Sequence, residues 1–543
     1  MMKNRTMTGD DTTAIPGTVH LVDLRPRHIE NGAGHGGEAN KDSIVLVPQP
    51  SNDPDDPLNW KRSRKLINAF LLFFYTFATG VGGTSVYSVL TPISEDTGIT
   101  IAQLNTGTGF LFLLAGWSNL IWQPAALTWG RRPIFLLSML ACAGVSEWAA
   151  HISEYGEWAA CRCLYGVVTA PVEVLPELCM AELFFAHERG AFVGLYMLVL
   201  ASSNFIAPLI AGFMNNTYGW QSVQHWSACL LLLNFVLAFF FYEDTMYHRN
   251  SVEMDVFHDN EEKDGSTIKT IALQQTLLET HGESTKPYWK RLKLWTNNNG
   301  RISVKQFFIM GLRPVYIFFA FPVVFFCGTF YGWALAWFNV YNATASDIYS
   351  SPPYNFSSSM VGLAYLAPLI GALVGGLFSG PFSDWFMIKL AVKNNGVREP
   401  EHRLWGLSFF CVFMTGGLLL WGLGAAHEIH WIGLAFGAAM VGACNVTGGS
   451  YSLAYTVDTY KDMSGEALVS VILCRNTISF AFNYAITPWI EHSGLQNTFI
   501  AVAMLALGTG LTFLLMIWKG KSLRRLSAQK YWALAEKQVF HHD

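Results

Sequence analysis

Residues 170–190 read APVEVLPELCMAELFFAHERG. Glu173, Glu177 and Glu182 stand here, with Pro171 and Pro176, in a run apolar enough to lie in lipid. A carboxyl in an apolar setting holds its proton more tightly, and a nearby cation loosens it. Such a group can exchange a proton for an organic cation. On a helix advancing about 100° per residue, Arg162, Gly166, Thr169, Glu173 and Glu177 share one broad stripe. Lipid exposure of that stripe would cost several kcal/mol, so it must face a wet cavity or the interior of a helix bundle. Glu173 is the first candidate for a proton and cation site. Glu177 is a second acid nearer the helix end, and Glu182 lies at the membrane edge. The alternative for Glu173 is a structural carboxylate satisfied by a hydroxyl or by Arg475. Arg162 either takes part in proton coupling or holds helices together. Both roles need a buried partner, for which Glu147 is a candidate.

The elements that must position these groups are membrane helices. Of the 543 residues, 51% are hydrophobic and 14% charged, against roughly a quarter charged in a soluble domain. Apolar runs of about 20 residues, enough to cross about 30 Å of hydrocarbon, recur along the chain. Spans are expected at 64–90, 101–124, 133–151, 157–182, 190–214, 221–242, 313–340, 358–381, 404–426, 431–457, 466–489 and 496–518. No cleavable signal peptide precedes the first. With both termini cytoplasmic, 33 of the 35 Lys and Arg fall on the inner side, and the other two, Arg162 and Arg475, lie inside spans. The outer loops then hold the sequons at Asn215, Asn342 and Asn355 as glycosylation candidates. The nine cysteines all fall within spans, so they read as small buried hydrophobes rather than a disulfide or zinc framework.

The expected organisation is a cytoplasmic tail (1–63), a six-helix bundle (64–242), a cytoplasmic linker (243–312), a second six-helix bundle (313–518) and a cytoplasmic tail (519–543). The linker carries a basic aromatic patch, PYWKRLKLW, at 287–295, suited to a membrane surface or to an ordinary solvated helix. QPAALTWGRRP (123–133) and GPFSDWFMIKLA (380–391) occupy matching loops of the two halves, and such internal repeats place a substrate between the halves. Gly328/Gly332, Gly371/Gly375 and Gly376/Gly380 have the spacing that lets helices approach. Tyr331, Trp337, Tyr451 and Tyr455, with Asp458, supply candidate walls for a cation. Arg131, Arg132, Glu182, Arg189, Asp384 and Glu466, together with Glu188, mark inner helix ends and are expected to latch the halves, with Arg132 and Glu182 a candidate pair. Ordinary surface ion pairs are the alternative. Gly520-Lys521-Ser522 lacks the upstream glycine of a phosphate loop, and His427-Glu428-x-His430 has the wrong spacing for a zinc protease. No ATP, metal, nucleic-acid or enzymatic chemistry is indicated.

DPDDPLNW (53–60), GRRP (130–133), RCLYG (162–166), LFFAHERG (183–190), EDTMYHR (243–249), NATASDIYSSPPYNF (342–356), SDW (383–385) and REPEHRLW (398–405), in this order, resemble the major facilitator superfamily. The likeness is to its fungal twelve-span drug:proton antiporter-like group, near the organic-cation and polyamine permease branch. The superfamily's loop motif is half present. Gly130, Arg131 and Arg132 match its end, while Leu127 and Gln123 replace its acid and first glycine. Gly380 and Asp384 match those positions in the second half. Arg162 and Gly166 keep the span 4 motif, whose arginine the family assigns to proton coupling. The span 5 antiporter motif is degraded to Ala207-Pro208 and Ala211-Gly212. The resemblance implies an all-α polytopic fold of twelve transmembrane helices in two pseudo-symmetric six-helix bundles. It also implies a plasma-membrane carrier without cofactor, working as a monomer in the bilayer on a small organic substrate and driven by the proton gradient. Export of a cationic or amphipathic drug or metabolite is the reading preferred. Polyamine or organic-cation uptake and a non-transporting sensor are the alternatives.

Overall fold

The computed structural model describes residues 15–20, 53, 55–246, 288–293, 304–394 and 397–540. Of the expected linker patch, only 288–293 lie inside the described residues. The first half contains α1 (Arg62–Thr84), α2 (Ile101–Trp129), α3 (Arg131–Ala149), α4 (Tyr155–Thr169), α5 (Leu175–Leu183), α6 (Ala186–Tyr218) and α7 (Trp220–Phe241). The second contains α8 (Val304–Ala320), α9 (Pro322–Ser350), α10 (Ser358–Ala364), α11 (Leu366–Leu377), α12 (Ser383–Lys393), α13 (Leu407–Ala426), α14 (Trp431–Thr459), α15 (Ser464–Ser493) and α16 (Leu495–Phe540). Eleven helical segments among the described residues are long and apolar enough to cross a membrane. The expected span at 133–151 is helix α3, 19 residues long, packed against α4 and α7. Arg131, Arg132 and Glu147 at its ends dilute its hydropathy.

Local chemistry explains where the helices stop and bend. Thr100 and Gln103 form a reciprocal cap that starts α2. The expected single helix over 157–182 is instead broken. α4 passes into a 3-10 turn at Ala170–Glu173, Val174 leaves helical geometry (φ −129°, ψ −47°), and α5 restarts. Pro171 and Pro176 are the cause, since neither has an amide proton and each ring crowds the preceding turn. The stripe from Arg162 to Glu177 is therefore interrupted before Glu173. The expected span at 313–340 is likewise displaced. Phe321 is extended ahead of Pro322, where helical geometry is disfavoured, and α9 runs from there to Ser350. Asn342 consequently sits inside α9 with 1% exposure, not in an outer loop as expected, and cannot meet a glycosyltransferase. Asn215 is half-buried in α6 and donates to Ser358 Oγ (2.9 Å), whereas Asn355 is exposed between α9 and α10.

The halves meet along α2 with α15 and along α6 with α10 and α11. On the face opposite the chain ends the seam is polar and close. Asn105 Nδ2 donates to Ala343 O (3.3 Å) and Thr487 Oγ1 (3.1 Å), and the Thr91 and Ser346 hydroxyls lie 3.0 Å apart. A Cβ on Gly212 would stand 2.3 Å from Ser358 O, so α6 and α10 touch backbone to backbone there. Of the expected small-residue pairs, Gly371 and Gly375 pack on the α14 backbone and Gly328 and Gly332 on α15, while Gly376 and Gly380 face open space.

The face bearing the chain ends is tied differently. Val19–His20 (β1) pairs antiparallel with Val397–Arg398 (β2), bringing the amino-terminal segment onto the second half. Arg524 of α16, fully buried, donates to Pro16 O (2.6 Å) and Thr18 Oγ1 (3.1 Å) and bridges Glu399 (2.6 Å) and Glu401 (2.7 Å). Lys521 joins Glu399 at 2.7 Å. Burial pushes the Glu399 carboxyl up, but Lys521, Arg524 and Thr18 outweigh it and hold the group below its ordinary range.

Candidate functional site at the seam between the halves

Glu173 closes the 3-10 turn that the two prolines create, and this turn aims its carboxylate across the seam. There it meets α15. Arg475 Nη2 donates to Glu173 Oε1, and Asn476 Nδ2 donates to Oε2 at 2.9 Å. Arg475 Nη1 donates to the Tyr331 hydroxyl (3.1 Å), and the guanidinium lies 4.9 Å from that ring's centroid. Arg475 Nε donates to Asn476 Oδ1 at 3.0 Å. The two charged side chains are only 8% and 14% exposed. A bridge of this kind joins the halves by charge at a dry place, and both carboxylate oxygens are satisfied only while it holds.

Apolar layers flank the pair. Toward the chain ends, Val174 packs with Val469 and Ile472 across the seam, backed by Leu120 and Leu178. Toward the other face, Phe110 of α2 stacks on Phe480 of α15 at 5.6 Å. Tyr196 of α6 donates to Val172 O (2.7 Å) and lies within electrostatic reach of Glu173, Glu177, Arg475 and Tyr331. Glu177 is half-buried and has no hydrogen-bond or ion-pair partner among the described residues.

The other expected site residues fall elsewhere. Arg162 belongs to the interior of the first half. It is 3% exposed, lies 4.2 Å over Trp158, and donates to Gly82 O and Gly83 O at 3.4 Å each. Its Nε and Nη2 have no partner among the described residues. Glu147 is not that partner, because it is held by His225 (2.9 Å) at the far end of α3. Gly166 has a packing role, since a Cβ there would lie 2.4 Å from Leu111 O on α2. Trp337, expected as a cavity wall, is wholly buried in the core, stacked on Trp333 at 5.3 Å and set against Phe482 at 5.0 Å.

Tyr451, Tyr455 and Asp458 do not line the seam site as expected. Tyr451 donates to Phe378 O (3.4 Å) and Tyr455 to Glu401 Oε1 (3.2 Å). Asp458 pairs with Arg398 and Arg403 at 3.3 Å each. α14 runs down to the face of the chain ends, where Tyr455 and Asp458 join its ion network.

The expected inner latch takes another form. Arg131, not Arg132, pairs with Glu182 (2.5 Å) and donates to Cys179 Sγ (3.4 Å). Arg132 donates to Phe239 O (2.6 Å) and to Leu292 O. Asp384 pairs with Arg403 (3.0 Å) and Glu466 with Arg313 (2.8 Å). The pairs of Arg131, Asp384 and Glu466 thus tie elements of the same half. Arg189 and Glu188 open α6, with Arg62 4.0 Å from Glu188. Further ties secure this face of the first half. Arg64 bridges Glu243 and lies 3.7 Å over Trp60, and the Arg131 amide donates to Asp244 (3.4 Å). Burial pushes the Asp244 carboxyl up.

The profile of the Major Facilitator Superfamily matches residues 72–468. The chain belongs to this superfamily. It is a multi-pass membrane transporter, not an enzyme. It is 28% identical to Protein HOL1 of Saccharomyces cerevisiae over 96% of this chain and 97% of that one. It is 21% identical to the MFS antiporter QDR3 of Candida albicans over 89% of this chain and 81% of that one. Among solved structures it is similar to the xylose transporter XylE from E. coli in a partially occluded inward-open conformation. That match has a TM-score of 0.54 at 12% identity, over 84% of this chain and 98% of the other, which supports the fold.

The sequence reading put Glu173 forward as a proton and cation site and gave pairing with Arg475 as its structural alternative; that pairing is present, and Asn476, Tyr196 and the Arg524 cluster were not anticipated. Arg475 carried a signal of its own as one of two basic residues inside spans. Asn476 and Tyr196 carried none, being ordinary residues whose role comes from the neighbours they meet.

Proposed function

We infer that this transporter exchanges protons for a small cationic or amphipathic organic compound, exporting it across the plasma membrane as a monomer by alternating access. The observation that carries this reading is the Glu173–Arg475 bridge between the halves. Protonation of Glu173, or arrival of a substrate cation beside it, removes the charge that Arg475 needs. The bridge then opens and the halves are free to rock about the seam. Tyr331, whose ring holds the Arg475 guanidinium at 4.9 Å, offers an aromatic face to an incoming cation once the bridge opens. The distribution of Lys and Arg supports cytoplasmic termini, and the likeness to an antiporter, QDR3, supports exchange.

A second reading, uptake of a polyamine, is favoured by one feature. Glu173 and the unpartnered Glu177 both lie within reach of Tyr196, and two carboxylates suit a multivalent cation. Proteoliposomes carrying an internal pH dye separate the possibilities. Ethidium added as a lipophilic cation, and spermidine as a polyamine, should each be tested for proton movement that depends on the protein. Exchange with ethidium supports export of drug-like cations, and movement with spermidine alone supports the second reading. No proton movement with either sinks proton coupling.

A further inference from the structure

We propose that Glu147, His151 and His225 form a binding site for a divalent transition-metal ion of the zinc class, on the face opposite the chain ends. Glu147 lies in the last turn of α3, His151 just beyond it, and His225 in the second turn of α7. Each offers a ligand atom, and these atoms lie within 4.8 Å of one another. A tetrahedral zinc with bonds of about 2.0–2.1 Å needs ligand atoms about 3.4 Å apart. The remaining closure is a matter of side-chain rotation. His225 and Glu147 are 44% and 52% exposed, so their rotamers are not locked by packing.

The hydrogen bonds already present hold the three groups together. His151 Nδ1 lies 3.0 Å from Glu147 O and His225 Nδ1 lies 2.9 Å from Glu147 Oε2. His151 keeps Nε2 for the ion while its Nδ1 faces the Glu147 carbonyl, whereas His225 would bind through Nδ1, the nitrogen that already faces the Glu147 carboxylate, in its unprotonated tautomer. The two rings approach edge to face with centroids 5.6 Å apart. Two imidazoles and one carboxylate suit zinc, nickel or copper and disfavour magnesium and calcium. Three protein ligands leave a coordination position for water. A shallow cavity lined by His151, Ser153, Asp96 and Gln221 adjoins the cluster and gives that water room. Asp96 is committed there to Trp220 Nε1 (2.8 Å) and Gln221 Nε2 (3.1 Å), so it completes the wall rather than the ligand set. A bound ion would clamp α3 to α7 within the first half. Each histidine must offer an unprotonated nitrogen, so the ion competes with protons for the site.

The test is calorimetric titration of zinc into the full chain in nanodiscs, purified on a tag other than polyhistidine. One site per chain is expected. His151→Ala and His225→Ala should each weaken it by more than about tenfold, the lower end of what lost outer-shell support alone costs. Zinc should raise the unfolding temperature of the unaltered chain and not that of the double variant. His151→Gln with His225→Gln serves as the double variant if the alanines lower the metal-free unfolding temperature. Undiminished zinc affinity in the double variant, or no binding by the unaltered chain, overturns the proposal.

Discussion

At the scale of single residues, the central question is what a carboxylate and a guanidinium gain by meeting inside an apolar seam. Desolvation of both offsets most of their attraction, so the pair adds little net stability, yet removal of one partner strands the other. Arg475→Ala should therefore destabilise the protein by about 3–5 kcal/mol. Combining it with Glu173→Gln should recover part of that loss. Thermal unfolding of the three variants in one detergent checks both outcomes, and a double variant no better than Arg475→Ala would contradict the pairing. Each charge was legible in the sequence as an ionisable group within a span. Their meeting entered only as the structural alternative for Glu173, because the two residues lie 302 positions apart and no periodicity links them.

At the scale of elements, breaks and ties decide where those residues point. The predicted helix over 157–182 was right in place and wrong in continuity. Two prolines in six residues end the α-helical stripe, and this is why Arg162 and Glu173 serve different neighbourhoods. The docking of residues 15–20 had no sequence signal, since two short strands and a buried arginine are assembled from opposite ends of the chain. Arg524→Ala should release that segment. Hydrogen bonds to a charged group are worth about 1.5–3 kcal/mol, so exchange protection at Arg398 should fall at least tenfold. Acid should act in the same direction. Because Glu399 is held below its ordinary range, its contribution is present above the unfolded carboxyl pKa and is lost as pH falls through the lower folded value. Docking measured by hydrogen exchange, corrected for intrinsic rates, should persist from pH 7 to about pH 5 and fail only below the ordinary carboxyl range of about 4.3. Release near pH 6 would count against this assignment.

At the scale of the whole molecule, the sequence carried the two-half, all-helical architecture because lipid imposes it. A spanning segment must satisfy its own backbone, so spans are readable as apolar runs. The seam was not readable, because it depends on which faces meet. In this structure the halves touch through Asn105, Thr487 and Ser346 on one face and at the Glu173–Arg475 bridge within. Alternating access requires the first of these contacts to part. A disulfide formed by Asn105→Cys with Thr487→Cys should abolish transport, and a reductant should restore it. Transport unaffected by a fully formed crosslink would mean that this seam does not open. The most direct test of the coupling role given to Glu173 is the pH dependence of substrate exchange in proteoliposomes containing Glu173→Gln. The account predicts substrate movement that no longer responds to a pH gradient, with no accompanying proton flux. Exchange with unchanged rate, pH profile and proton flux would contradict it.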